Sequence, residues 1–211
     1  MTSITRIDDF PLITIDDVVK GMEERRQEYS REPNAHRRKI LLNYIYHAGL
    51  EISGRYEEIL SPDLTVAEPR YEYFQHGVVH EGVAAVKTFY SGMVSRNATA
   101  LLAYDQKMAV ADWGFSLEEI GLYYLEPEAA AANGIPVRDG FRYIWHRPMV
   151  MVWHYTDDAK LIGERVYHAA FSSFSEINPE HYLNTKDLRE ALAPFIERAR
   201  AGYLANESWN G

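Results

Sequence analysis

The hydrophobic period of this chain changes from helical to alternating near Leu64, and that change limits the folds open to it. Before Leu64, apolar residues recur at helical spacing: Val18, Val19 and Met22 in one stretch, then Ile40, Leu41, Tyr44, Ile45 and Ala48 in the next. After it, most apolar residues alternate, as they do in strands. Helices followed by a run of strands imply an α+β protein with its helices gathered on one side of an antiparallel sheet. Residues 1–13 read as an extended arm. Thr14 or Asp16 caps a helix that runs to about Ser30 and stops before Pro33. A second helix starts near Asn34, and Tyr56, Ile59 and Leu60 add another helical turn or two beyond Gly54.

Thr65 to Phe74 reads as a strand in which Pro69 demands an edge or a bulge. His76-Gly77 turns the chain into an amphipathic helix from Val83 to about Val94. Four long antiparallel strands follow: Ala100–Trp113, Leu117–Leu125, Phe141–Tyr155 with a bulge at Pro148, and Lys160–Phe171. Glu128–Ala132 adds one helical turn, and Asp157-Asp158 a hairpin turn. Thr185 caps a C-terminal helix, Asp187 to about Tyr203, kinked at Pro194. A strongly curved sheet closed at one end by the N-terminal helices would form a cone-shaped barrel with an internal pocket.

With 211 residues the chain suits one domain with additions: an arm and helix over 1–33, the α+β barrel over 34–175, and a helical extension over 176–211 packed on the same domain. The net charge of −9 argues against a nucleic-acid partner, because neutralising phosphates needs a basic face. The absence of cysteine removes disulfides, thiolate metal sites and thiol nucleophiles. The N-terminus has no apolar run flanked by basic residues and no stretch approaches a membrane span, so a cytoplasmic location without membrane partners is expected. No Gly-rich phosphate loop follows a strand and no Gly-x-Ser-x-Gly elbow exists, so no cofactor and no hydrolase triad are expected. His76 and His80 stand four apart before Glu81, but Gly77-Val78-Val79 between them reads as turn and strand and gives no helical ligand geometry, and His146 and His154 are too far apart on one strand, so no metal is expected.

Several residues could carry acid–base chemistry. Tyr44 and His47 lie one turn apart on the buried stripe of the second helix. Glu68 alternates with Ala67, and whichever faces an apolar cone does so without water; a carboxylate there becomes a base near neutral pH. Arg70, on the same face as Glu68, would pair with it. Glu164, Val166 and His168 share a face of the last strand. Turned inward, they bring an acid–base pair into the pocket; turned outward, they leave Arg165 and Tyr167 pointing in. Asp112 and Trp113 end another strand, one of them facing the cavity. Tyr104, Trp113 and Trp153 would hold aromatic rings. The 15 tyrosines and 4 tryptophans suit such a pocket as well as ordinary core packing.

The helix ending Tyr44-Ile45-Tyr46-His47, the turn Pro62-Asp63-Leu64, the strand Thr65-Val66-Ala67-Glu68-Pro69 and the helix opening Glu81-Gly82-Val83-Ala84-Ala85-Val86 resemble the nuclear-transport-factor-like (SnoaL-like) superfamily. The resemblance spans roughly residues 34 to 172. Its members include ketosteroid isomerase, scytalone dehydratase, limonene epoxide hydrolase, polyketide cyclases and cofactor-independent lyases that remove formaldehyde from lignin-derived diarylpropane diols. Laid on ketosteroid isomerase, it implies Tyr44 as an oxyanion donor and Glu68 as the base; the isomerase's second acid would fall near Met151. Scytalone dehydratase implies a set such as Tyr44, His47 and His168. The resemblance therefore implies a lyase that dehydrates a small aromatic or polycyclic alcohol, or removes formaldehyde from it, through a quinone-methide-like intermediate. Isomerase, epoxide hydrolase, cyclase and non-catalytic binding or structural subunit are the alternatives. A homo-oligomer, dimer or trimer, is expected.

Overall fold

Two short side-chain caps set the frame on which the helices hang. In the computed structural model, which describes residues 3–208, Thr14 and Asp17 form a reciprocal capping box at the start of α1 (Ile15–Tyr29). Asn34 accepts from the backbone of His36 and Arg37 to start α2 (Ala35–Ile52). α3 (Tyr56–Ile59) follows, then β2 (Thr65–Tyr73), preceded in sequence by β1 (Ser3–Arg6) in the arm. β3 (Val78–Glu81) leads directly into α4 (Gly82–Ser95). The second half comprises β4 (Leu101–Ala111), β5 (Gly114–Leu125), α5 (Pro127–Ala132), β6 (Arg142–Tyr155), β7 (Leu161–His168) and β8 (Phe171–Ile177). The last elements are α6 (Thr185–Ala191) and α7 (Ala193–Ala205).

The described residues therefore hold seven α-helices and one eight-stranded sheet, an α+β arrangement. The sheet is mixed rather than purely antiparallel: β2 runs parallel to β7, and β1 parallel to β8. The sheet does not close on itself. Among the described residues β1, β3 and β4 each pair on one side only. β6 organises it. One side of β6 pairs with β5 throughout, while the other pairs first with β8, over Arg142–His146, and then with β7, over Met149–Tyr155. Pro148 keeps regular register with Ile120 and falls where β6 changes partner, so its missing N–H interrupts neither ladder. The expected strand Lys160–Phe171 ends at His168, and a further strand that was not expected, β8, begins at Phe171.

The C-terminal segment is likewise two helices. Pro194 opens α7 instead of kinking a longer helix, and Asn184, not Thr185, caps α6. Helix α2 is buried on almost every side, between the sheet and α7. Gly49 makes the α2–α7 contact possible, because a Cβ there would lie 2.7 Å from the Phe195 ring. No described helix is long and apolar enough to cross a membrane.

Candidate active site

Cross-strand register places one face of the sheet opposite α2. Phe115, Trp153, Glu164 and Tyr71 form one row; Leu117, Met151, Val166 and Tyr73 the next; Glu119, Met149 and His168 the third. Tyr44, Ala48 and Glu51, about one turn apart on α2, face these rows across a cavity of about 660 Å³. Its walls are mainly aromatic and aliphatic, with a few acid–base groups set among them.

The first polar centre is built on a β-bulge. Between Tyr104–Ile120 and Lys107–Glu118, the two residues Asp105 and Gln106 of β4 oppose the single residue Glu119 of β5. Asp105 takes a left-handed conformation (φ 47°), which Asp tolerates better than most residues. The Gln106 amide nitrogen donates to the Tyr44 hydroxyl at 2.7 Å and to Glu119 Oε2 at 2.6 Å. Its oxygen accepts from Arg25 Nη1 at 2.8 Å and from the Tyr29 hydroxyl at 3.3 Å. Because a guanidinium only donates, Arg25 fixes the amide orientation and leaves the NH₂ for Tyr44 and Glu119. Burial pushes the Glu119 carboxyl up to about 7, against the Gln106 hydrogen bond and the Arg25 charge. Burial, followed by the Glu119 charge, raises Tyr44 well above the usual phenol value, so it stays a neutral O–H donor.

The second centre lies two rows away. Glu164 is buried, and desolvation followed by the nearby Glu51 charge holds its pKa well above the usual carboxylate range. The Tyr73 hydroxyl donates to Glu164 Oε1 at 3.4 Å. Glu51 Oε2 accepts from the Tyr90 hydroxyl at 3.5 Å and stands 3.5 Å from His47 Nε2, which is itself 3.0 Å from that hydroxyl.

The third centre is His168. Burial, then the charges of Arg147 and His76, depress its pKa to about 3, so the imidazole is neutral. Both of its ring nitrogens are buried without a hydrogen-bond partner.

The inward face of β7 is thus the one carrying Glu164, Val166 and His168, while Arg165 and Tyr167 are exposed. Four strand steps separate Glu164 from His168 by roughly 13 Å between Cα atoms. They serve opposite parts of the cavity and do not form a touching acid–base pair. Tyr44 and Trp153 also line the cavity, whereas His47 is fully buried behind the wall with its ring 4.7 Å from Trp153.

Glu68 is exposed and lies outside the cavity, beside the backbone of Gly82. The expected alternation fails because the β2–β7 register slips between Thr65 and Arg70, leaving Ala67 and Glu68 both exposed and Pro69 buried. Arg70 is exposed as well and bridges Glu72 and Glu81, not Glu68. Tyr104 is exposed against Phe10. Asp112 and Trp113 form the β4–β5 turn: Asp112 pairs with Arg37 at 2.7 Å, and Trp113 lies exposed beside His154. Arg70, Tyr104, Asp112 and Trp113 all stand outside the cavity lining.

Sequence reading missed Glu119, Gln106, Glu51, Tyr73 and Arg147. The alternation Phe115, Leu117, Glu119, Gly121, Tyr123 held a signal, one carboxylate in an otherwise uncharged inward series. Nothing in the spacing of Gln106 announces the bulge that turns it inward. Among the described residues no three His, Asp or Glu side chains cluster to hold a metal.

No protein-family model matches the chain, and no curated protein matches it in sequence. Similar solved structures include the epoxide hydrolase/cyclase-like enzyme SalBIII of pyran ring formation in salinomycin, at 16% identity and TM-score 0.40, covering 74% of this chain and 95% of that one. A SnoaL-like polyketide cyclase from Jannaschia sp. CCS1 is similar at 10% identity and TM-score 0.39, covering 77% and 90%. The CaMKII hub of S. rosetta is similar at 14% identity and TM-score 0.38, covering 62% and 95%. At this level of similarity no residue role is carried over from them.

Proposed function

We propose that this chain is a cofactor-independent acid–base enzyme of the nuclear-transport-factor-like kind, and specifically a lyase acting on a para-hydroxylated aromatic alcohol. The observation that carries the reading is the Gln106 amide, which holds the buried Glu119 carboxylate and the Tyr44 hydroxyl on one nitrogen at the wall of an apolar cavity. A carboxyl of pKa about 7 takes and returns protons at neutral pH. A cavity of about 660 Å³ has room for a two-ring molecule.

In this reading Glu119 removes the phenolic proton while Tyr44 donates a hydrogen bond to the developing phenolate oxygen. Glu164, held protonated by burial, gives its proton to the benzylic hydroxyl as the carbon–oxygen bond breaks. Water leaves, and the ring becomes a neutral quinone methide. Where the neighbouring carbon bears a hydroxymethyl group, the Glu164 carboxylate takes that hydroxyl proton. The carbon–carbon bond then breaks, formaldehyde leaves, and the released electron pair restores the aromatic ring. Glu119 returns its proton to the phenolate, so both carboxyls end in their starting states. An apolar, water-poor wall protects the quinone methide from hydration.

The test is incubation with a para-hydroxylated 1,2-diarylpropane-1,3-diol, following formaldehyde and the conjugated stilbene product. Turnover that E119Q and E164Q each lower strongly supports the reading. Failure to convert the diol, with or without a carboxylate substituent on a ring, or unchanged turnover in both variants, rejects it.

A further inference from the structure

Arg147 is a half-buried cation in the cavity wall that, among the described residues, has no carboxylate partner. Burial lowers its pKa, the opposite of what a carboxylate neighbour would do. Its guanidinium stacks 4.2 Å from the Trp145 ring and 5.6 Å from the Tyr123 ring. Its side-chain hydrogen bonds go to neutral groups, Gln75 Oε1 at 2.7 Å and the Tyr123 hydroxyl. Of the other two arginines that line the cavity, Arg25 is held by Gln106 and Arg96 is exposed, and two neighbouring arginines outside it find carboxylates. Arg142, on the same strand, pairs with Glu126 at 2.6 Å, and Arg138 pairs with Glu176. The glutamates of the cavity, Glu51, Glu119 and Glu164, are occupied with other partners, and Asp17, which also lines it, is held by Thr14. His168 and His76 sit at the same end as Arg147, and both His168 ring nitrogens lack partners.

We infer that Arg147 is the anchor of a carboxylate subsite, so that the cavity takes an aromatic ligand bearing one carboxylate. A partly desolvated guanidinium is costly to keep unpaired, and its planar fork matches a carboxylate with two parallel hydrogen bonds. The apolar walls accept the ring, and the unpaired His168 nitrogens offer a further contact to the anion at this end. The one guanidinium of Arg147 matches a monoanion better than a phosphate dianion. This subsite deepens the proposed lyase reading by naming the substrate class. It rests on that reading only in taking the cavity as the substrate site.

Isothermal titration with 4-hydroxycinnamate and with its neutral amide tests the inference on the wild-type protein, Arg147→Met and Arg147→Lys. The wild type should bind the acid about tenfold or more tightly than the amide. Arg147→Met should bind the two alike, with amide affinity unchanged, and Arg147→Lys should keep part of the preference. Equal binding of acid and amide by the wild type overturns the subsite. So does no binding of the acid, or equal loss of both ligands in Arg147→Met. The wild-type comparison decides even if a variant fails to fold. A preference for the acid, with turnover neither of the diol nor of the same diol carrying a ring carboxylate, keeps the subsite and removes the lyase reading; turnover of the neutral diol with equal binding of acid and amide does the reverse.

Discussion

Glu119 shows how one carboxylate acquires a function from its surroundings. Burial alone makes it reluctant to ionise, and the Gln106 amide and Arg25 charge pull it back to about 7. If ionised Glu119 is the base, kcat/KM should rise with pH and level off above about 7. E119Q should lower kcat/KM by about 10²–10⁴-fold and flatten that rise, read from pH–rate profiles of both proteins. A wild-type profile flat from pH 6 to 8 would count against Glu119 as the base. Gln106 acts through its neighbours. Gln106→Ala removes a hydrogen bond that stabilises the ionised carboxylate, so the inflection should move above about 7. A purely structural loss would lower the rate without moving it. At this scale the sequence was half legible. Periodicity put Tyr44 on the buried face of its helix and Glu164 and His168 on one face of their strand, without saying whether that face turns to the cavity. Glu68 could not be excluded, because Pro69 announced an edge or a bulge but not which residues the slip would turn outward.

Among the elements, helix starts were readable because capping is local chemistry: Thr14 with Asp17, and Asn34 with the two backbone amides it receives. Strand partners were not. The division of β6 between β8 and β7 depends on residues far apart in sequence, and β8 beyond Phe171 was not read as a strand at all. Helix α2 links the two kinds of information, since it carries Tyr44 and Glu51 on its cavity side and Gly49 on its α7 side. A larger residue at 49 must push α2 and the Phe195 ring apart. We expect Gly49→Val to cost about 1–3 kcal/mol, read as a lower urea midpoint at unchanged slope. Turnover should fall as well, because both acid–base positions of the helix move with it. An unchanged midpoint would mean that Phe195 rotates away at no cost.

For the whole molecule, the desolvated acids and histidines together set the pH at which the fold is strongest. Glu119 and Glu164 hold protons more tightly folded than unfolded. Their contribution is full below the ordinary carboxylate value and is lost as pH rises; for Glu119 the loss runs from about 4.5 to about 7 and is on the order of 3 kcal/mol. His146 and His168 are held neutral by burial, depressed to about 4 and about 3. Their contribution is full above 6.5 and is lost as pH falls towards those values. Between about 4.5 and 6.5 the two sets oppose each other: the folded chain holds the protons of the two acids, and the unfolded chain those of the two histidines. Stability should therefore form a plateau there, falling towards pH 8 as the acids ionise and towards pH 3 as the histidines charge. Thermal scans from pH 4 to pH 8 should show this. In E119Q, where the amide has no proton to lose, the fall between pH 6 and pH 8 should be shallower, so the variant gains on the wild type as pH rises. A wild-type midpoint that climbs from pH 6 to pH 8 would mean that Glu119 and Glu164 ionise in the folded protein without penalty, and the cavity would then be a wetter place than its aromatic walls imply.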